Sequence, residues 1–297
     1  MSIVARMLGC QYPVIQGAMG VISNPEMVSS VSNTGGFGLL ATAFATDPNA
    51  VLSQIKATKK LTDKPFGANL HAMNPLTPKF AELMAEEGLP AVTLSGGSPK
   101  QIIPILHKHK MKALVVVPSV DVALKAVDVG ADIIVAEGSE SGGMQGFNGA
   151  STLVLVPLVV DAVDVPVVAA GGIADSRGYK AAFALGAQGV QVGTRFIATK
   201  ECIAHANYKK IILETSDTGT RLVSFGRFQI RVLNTPLVNR LLEGEPMPQK
   251  ALSESSLEDS WVKGDLDAGT LPAGQVSGLI SRISSVREVI EEMLKNE

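Results

Sequence analysis

The chain has 297 residues, 46% of them hydrophobic, enough for one large core and a small accessory region. A formal net charge of -2, with no block of lysine or arginine, excludes the clustered positive surface that nucleic acids require. No apolar run approaches the roughly 18–20 residues of a membrane span, the start MSIVARMLGC lacks a signal peptide's pattern, and Cys10 and Cys202 have neither disulfide nor zinc spacing, so the expectation is a cytoplasmic protein with no nucleic-acid, membrane or metal partner.

Short apolar runs alternate with helical stretches from the start. PVIQG (13–17) precedes a helix over 25–33, FGLLA (37–41) one over 48–60, and PFGANL (65–70) one over 77–87. AVTLS (91–95) and a helix over 99–109 follow, then KALVVVP (112–118) with 120–129, and DIIVAEG (132–138) with 151–163. A strand over 166–170, a helix over 174–185 and a strand over 188–192 complete eight βα units. The runs are rich in Val, Ile, Leu and Ala without alternation, as strands buried on both faces of a parallel sheet should be. Asn24-Pro25 and Asp47-Pro48 each pair an N-cap residue with a proline at the first helical position. The fold class implied is α/β, a TIM (β/α)8 barrel over 1–200 with a small C-terminal helical lobe over 201–262, interrupted by Pro236, Pro246 and Pro248. The remainder, 263–297, returns to the barrel: a glycine-rich stretch (269–278) that either packs closely or closes the barrel mouth, then a helix whose buried face is Val286, Val289, Ile290 and Met293.

In such a barrel the chemistry sits at the strand C-termini, and a phosphate usually sits after strands seven and eight. Gly171 and Gly172 end the seventh strand and Gly193 and Thr194 the eighth. Each pair leaves backbone N–H groups unshielded beside the start of a helix, with the Thr194 hydroxyl as an extra donor. One glycine pair is what any tight turn needs, but two at these successive exits point to an anion. Gly17, Ala18 and Met19 close the first strand with small residues against which a flat ring can lie. Asn69 offers a donor and an acceptor at the third, and His71, two positions on, shares its side and is the candidate for proton transfer. The loop EGSESGGMQG (137–146) follows the sixth strand. Glu137 and Glu140 are its candidate acid and base, and Gly142 and Gly143 let backbone approach a ligand.

PVIQGAMG, NTGGFGLL, PFGANL, AEGSESGGMQG, PVVAAGGIAD, ALGAQGVQVGTRF and GDLDAGTLPAGQVSGLI, in this order, resemble the FMN-dependent family of nitronate monooxygenases (once called 2-nitropropane dioxygenases), NAD(P)H:quinone reductases and the flavin-type enoyl-acyl carrier protein reductase. The resemblance covers nearly the whole chain. It implies FMN with its phosphate at Gly171, Gly172, Gly193 and Thr194 and its ring near Gly17, Ala18, Met19, Asn69 and Glu137, with Gly142 and Gly143 also in the cofactor site. It implies NAD(P)H as hydride donor to an enoyl-acyl carrier protein-like or quinone acceptor, or oxidation of alkyl nitronates with O2. The partners implied are a small-molecule or acyl-thioester substrate, with a homodimer as an option. The final segment most resembles the enoyl and quinone reductase branches. One departure stands out: relatives carry Gly-Gly-His in the strand-six loop, where this chain has Gly142-Gly143-Met144, and a thioether cannot exchange a proton. Either His71 takes over that work, or the acceptor needs no protein acid, or the protein binds flavin without turnover. The AGGI and GTRF elements also resemble IMP dehydrogenases, but that chemistry needs a thiolate and the strand-six loop has no cysteine.

Overall fold

In the computed structural model the described residues are 2–146, 149–225, 228–246 and 253–295, so Pro248 lies outside them. A short helix that the apolar rhythm did not announce, α1 (Ile3–Leu8), comes first. The expected units follow: β1 (Val14–Gln16) and α2 (Pro25–Asn33), β2 (Leu39–Ala41) and α3 (Pro48–Leu61), β3 (Gly67–His71) and α4 (Thr77–Glu86), β4 (Ala91–Ser95) and α5 (Ile103–Lys108), β5 (Lys112–Val117) and α6 (Val120–Asp128), then β6 (Ile133–Glu137). After a small strand β7 (Gly143–Gln145) come α7 (Thr152–Ala162), β8 (Val167–Ala170), α8 (Ser176–Ala184), β9 (Gly189–Val192), the four-residue helix α9 (Thr194–Ile197) and α10 (Ala206–Glu214). Asn24 and Asp47 cap α2 and α3 with their side chains, each ahead of a proline in the first turn.

Eight parallel strands run in the order β1-β9-β8-β6-β5-β4-β3-β2. The Phe37 backbone closes the ring against β1, its carbonyl accepting from Gln16 N at 2.9 Å and its N–H donating to Val14 O at 2.9 Å. The result is a (β/α)8 barrel in which the seventh and eighth strands are β8 and β9. Strand alternation sorts the apolar side chains into two layers. Ile15, Leu39, Ala91, Leu114, Ile133, Val135, Val168 and Ala170 fill the barrel interior, and Val4, Ala5 and Leu8 of α1 plug its N-terminal end. Val14, Leu40, Ala68, Val92, Val115, Ile134, Ala169 and Val190 face outward into the core shared with the helices.

The stretch expected to be a helical lobe is mixed. Between α10 and α11 (Pro236–Leu242) lies a hairpin, β10 (Thr220–Phe225) and β11 (Phe228–Leu233), before α12 (Glu254–Trp261). The prolines drew attention to helix breaks, whereas TRLVSF and FQIRVL carry the branched and aromatic residues that suit strands. The other edge of β11 pairs with β7, so the strand-six loop becomes the third strand of this antiparallel sheet. Tyr208, Ile212, Leu233, Leu257, Trp261 and Leu271 belong to the same continuous core as the barrel's outer layer. In the last segment Gly274 N donates to Thr194 Oγ1 at 2.9 Å and Gln275 N to Glu140 O at 2.9 Å. It ends in α13 (Val286–Met293), whose Val286, Val289, Ile290 and Met293 are buried as the spacing required.

Candidate active site

The alternation that fills the lower barrel with apolar groups brings a polar layer to its C-terminal end. Asn69 and His71 of β3, Thr93 and Ser95 of β4, Glu137 of β6 and Gln191 of β9 sit in register on the inward-facing rows. Asn69 Nδ2 donates to Thr93 Oγ1 at 3.0 Å and to Ser95 Oγ at 3.2 Å, which fixes its amide across the β3–β4 edge. Glu137 is only partly exposed, and burial pushes its carboxyl up to about 7, opposed by a hydrogen bond with the Ser141 side chain. Ser141 is itself positioned by Gln145, whose Nε2 donates to the Ser141 hydroxyl at 2.7 Å and to its carbonyl at 2.7 Å. A carboxyl that is roughly half protonated near neutral pH is suited to give or take a proton there.

His71 is inward-facing too, but its imidazole is 7% exposed and burial lowers its pKa, so it is held neutral. Its Nε2 is buried, has no hydrogen-bond partner among the described residues, and lies against Gly96, where a Cβ would come within 2.1 Å of it. Gly96, with φ +73, is the residue whose missing side chain makes room for that ring. Met144 lies in β7, opposite Ile230 of β11, and is 37% exposed.

The first strand's exit is held from behind. Gln16 is fully buried on the outward side, donating to Ser23 Oγ at 3.0 Å and to Gly17 O, and accepting from Leu39 N at 3.1 Å. Ser23 Oγ accepts from Met19 N at 2.7 Å, so Gly17, Ala18 and Met19 run over a fixed support. Gln191 borders Gly17 on the inside: a Cβ on Gly17 would meet Gln191 Cγ at 3.4 Å, and Gln191 Oε1 is buried with no partner among the described residues. Sequence reasoning missed Gln16, Ser141, Gln145 and Gln191. The signal available for Gln191 was a polar residue inside an apolar parallel strand, where burial is costly unless it has a use.

The two glycine exits differ. Gly171 and Gly172 adopt φ +91 and +73, a conformation closed to other residues without strain. However, α8 starts only at Ser176, and its first amides are already occupied: Asp175 accepts from Arg177 N at 2.9 Å and Gly178 N at 3.4 Å, and also pairs with the Arg177 guanidinium at 2.5 Å. Across the exit, Glu140 caps α7, accepting from Thr152 N at 2.8 Å and Thr152 Oγ1 at 2.9 Å, so that carboxylate is a helix cap and not a free base. After β9 the chain enters α9 directly from Gly193, and among the described residues a Cβ on Gly193 would meet only the Met19 side chain, Sδ at 3.6 Å and Cγ at 3.9 Å. Thr194 Oγ1 accepts from Gly274 N, which leaves its own hydrogen free to donate. Gly142 is used for packing: a Cβ there would come within 2.6 Å of Ala273 C and Gly274 N, while Gly143, with φ +86, has open space around it.

A protein-family model described as nitronate monooxygenase matches residues 2–296. The structure of FabK from Thermotoga maritima is similar over 99% of this chain and 95% of that one, with 37% identity and a TM-score of 0.92. A nitroalkane oxidase from Streptomyces ansochromogenes is similar over 98% of this chain and 96% of that one, with 26% identity and a TM-score of 0.86. The (3aS,4S,5R,7aS)-5-hydroxy-7a-methyl-1-oxo-octahydro-1H-indene-4-carboxyl-CoA dehydrogenase of Rhodococcus jostii (strain RHA1) is 34% identical, over 97% of this chain and 93% of its own length.

Proposed function

The chain belongs to the nitronate monooxygenase family of oxidoreductases, and we propose that within it this protein is an FMN-dependent, NAD(P)H-linked reductase of an α,β-unsaturated acyl thioester. The residues present fit FMN. The backbone N–H groups of Gly172, Gly193 and Thr194, with the short helix α9 opening directly from the β9 exit, would make the type of phosphate site that barrels build after strands seven and eight. Gln191 Oε1, buried beside Gly17 and without a partner among the described residues, is an acceptor suited to a ring N–H, and Asn69 lines the same mouth. The chemistry FMN would supply is two-electron transfer between NAD(P)H and an acceptor.

What this chain's own groups contribute is proton handling, and the observation that carries the reading is Glu137, raised to about 7. Reduction of a conjugated thioester adds hydride at Cβ and needs a proton at Cα. Protonated Glu137 delivers that proton, and its carboxylate is reprotonated from solvent. Ser141, held by Gln145, orients the carboxyl. His71, neutral and packed on Gly96, supports the β3–β4 edge and does not replace the absent loop histidine. Similarity to FabK and to the indene-carboxyl-CoA dehydrogenase of Rhodococcus jostii supports a thioester over a quinone or a nitronate as acceptor. The test is to reduce the protein anaerobically with NADH or NADPH and to mix it with an enoyl thioester, a quinone and an alkyl nitronate in turn. Fastest reoxidation by the enoyl thioester, slowing as pH rises through about 7 and losing that pH dependence in Glu137→Gln, is the expected result. Fastest reoxidation by nitronate, or a protein that never accepts electrons from either nucleotide, overturns it.

A further inference from the structure

The far end of the strand-six loop is held by the β7–β11 ladder, which pairs Gly143 with Arg231, Met144 with Ile230 and Gln145 with Gln229. Gln145 reaches back from that ladder to the Ser141 hydroxyl and carbonyl, but where Ser141 stands relative to Glu137 is set by the turn between them. In that turn Gly138 N donates to Ala170 O at 2.9 Å, and Ser141 N folds back to donate to Gly138 O at 3.1 Å. Ser139, in its middle, is gripped through both backbone groups: its N–H donates to Ala150 O at 2.9 Å, and its carbonyl accepts from Arg231 Nε at 2.9 Å. Arg231 comes from the lobe, 92 positions along the chain. Its Nη1 donates to Thr220 Oγ1 on the neighbouring strand β10 at 3.1 Å, so the guanidinium plane is fixed at two points.

Arg231 is 7% exposed. Burial disfavours its charge, and the Glu140 carboxylate, itself fixed at the start of α7 by Thr152, favours it. Holding β11 in its sheet needs no charge, because backbone pairing on both edges does that. What a planar, charged donor adds is direction: it aims the Ser139 carbonyl, and with it the whole turn from Glu137 to Ser141. Glu137 itself ends β6 in register with Ala170, so the barrel fixes its backbone and the turn alone decides whether the Ser141 hydroxyl meets its carboxyl. Resting on the proton-donor role given to Glu137 above, we propose that Arg231 is a positioning residue: from the lobe it locks the 138–141 turn and so keeps the Ser141 hydroxyl on the Glu137 carboxyl.

The Ser141 hydrogen bond favours the charged form of Glu137 against its burial, so loosening the turn moves the titration of that carboxyl upward. The test reads it by carbon NMR of the flavin-loaded protein with isotope-labelled glutamate, the Glu137 signal being identified by its loss in Glu137→Gln. The wild type titrates at about 7. Arg231→Met, and Arg231→Lys, which keeps the charge and loses the fork, each raise the midpoint by about one pH unit. Ser141→Ala raises it as much, and adding either Arg231 substitution to Ser141→Ala moves it by no more than about 0.3 pH unit, because the route through Ser141 is already gone. An arginine that only staples the lobe lowers the urea midpoint of unfolding and leaves the titration where it was, and that result overturns the proposal. So does an Arg231 shift that persists in full without Ser141. The pH at which reoxidation by an enoyl thioester slows follows the NMR midpoint in every variant. If the NMR midpoints move as expected but no enoyl thioester is reduced, the hold on Glu137 stands and the reaction assignment falls. If they do not move, the hold falls regardless of turnover.

Discussion

The exits of β8 and β9 carry nearly the same signature, an apolar strand followed by two small residues, and the fold makes different things of them. After β8 the two glycines turn through left-handed conformations and the chain runs on to a helix whose first amides Asp175 already holds. After β9 the chain enters α9 at once, with Thr194 as the first residue and, among the described residues, no side-chain cap at its start. The β8 exit thus leads to a helix with a side-chain cap, whereas the β9 exit opens directly into α9. A glycine pair in sequence marks where backbone can come close to a ligand, while the next carboxylate along the chain decides whether a helix dipole is available.

The sharpest way to break this comparison is Gly193→Asp. The backbone there has φ -111, which any residue adopts, and the Cβ has room, so the variant should fold. A carboxylate within about 4 Å of a phosphate at intermediate dielectric costs about 4 kcal/mol, so FMN affinity should fall ~10³-fold or more. Titration of the apo-protein with FMN checks this, and wild-type affinity would mean that the β9 exit is not the anion site.

Next in size is the pH dependence of stability that Glu137 imposes. Its carboxyl is raised in the fold from 4.5 to about 7, so the folded state favours the protonated form. The contribution is fully present below the ordinary carboxylate pKa and is lost as pH rises to about 7, by up to about 3 kcal/mol. Glu137→Gln should therefore gain stability relative to wild type between about pH 4 and about pH 8, as read by urea unfolding of the flavin-free protein at both. An equal difference at the two pH values would place the carboxyl in an ordinary solvated setting.

A smaller effect isolates the β8 exit. Asp175→Ala removes the α8 cap and should cost about 1 kcal/mol of stability while leaving FMN affinity within about twofold. A large loss or gain of affinity would tie the α8 terminus to the ligand after all. Smallest is Met144→Ala: the side chain is substantially exposed and its pairing with β11 is through backbone, so the change in stability should stay within about 0.5 kcal/mol. A collapse of stability would show that Met144 is a packing residue of the β7–β11 sheet.

Much of the barrel was legible because each strand is a local apolar run bounded by glycine, proline or a cap. The helix over 25–33 and the strand over 91–95 fall where those signals put them. The floor helix α1 was missed because six residues are too few for a period to emerge, and β7 because its three residues become a strand only by pairing with β11, far along the chain. In the site, Asn69 and Glu137 stood out as polar groups ending apolar strands. Gln191 hid within one, and the Gln145–Ser141–Glu137 chain exists only because the loop folds back on itself.

The order of amino acids alone determined the alternation of eight strands with helices and the placement of small residues at strand ends, since both follow from side-chain properties of near neighbours. Tertiary structure alone decided that Gly142 is a crossing point for the C-terminal segment and that His71 packs against Gly96. Those outcomes depend on which distant segments meet, and the geometry of such meetings is set by the whole core and not by any local pattern.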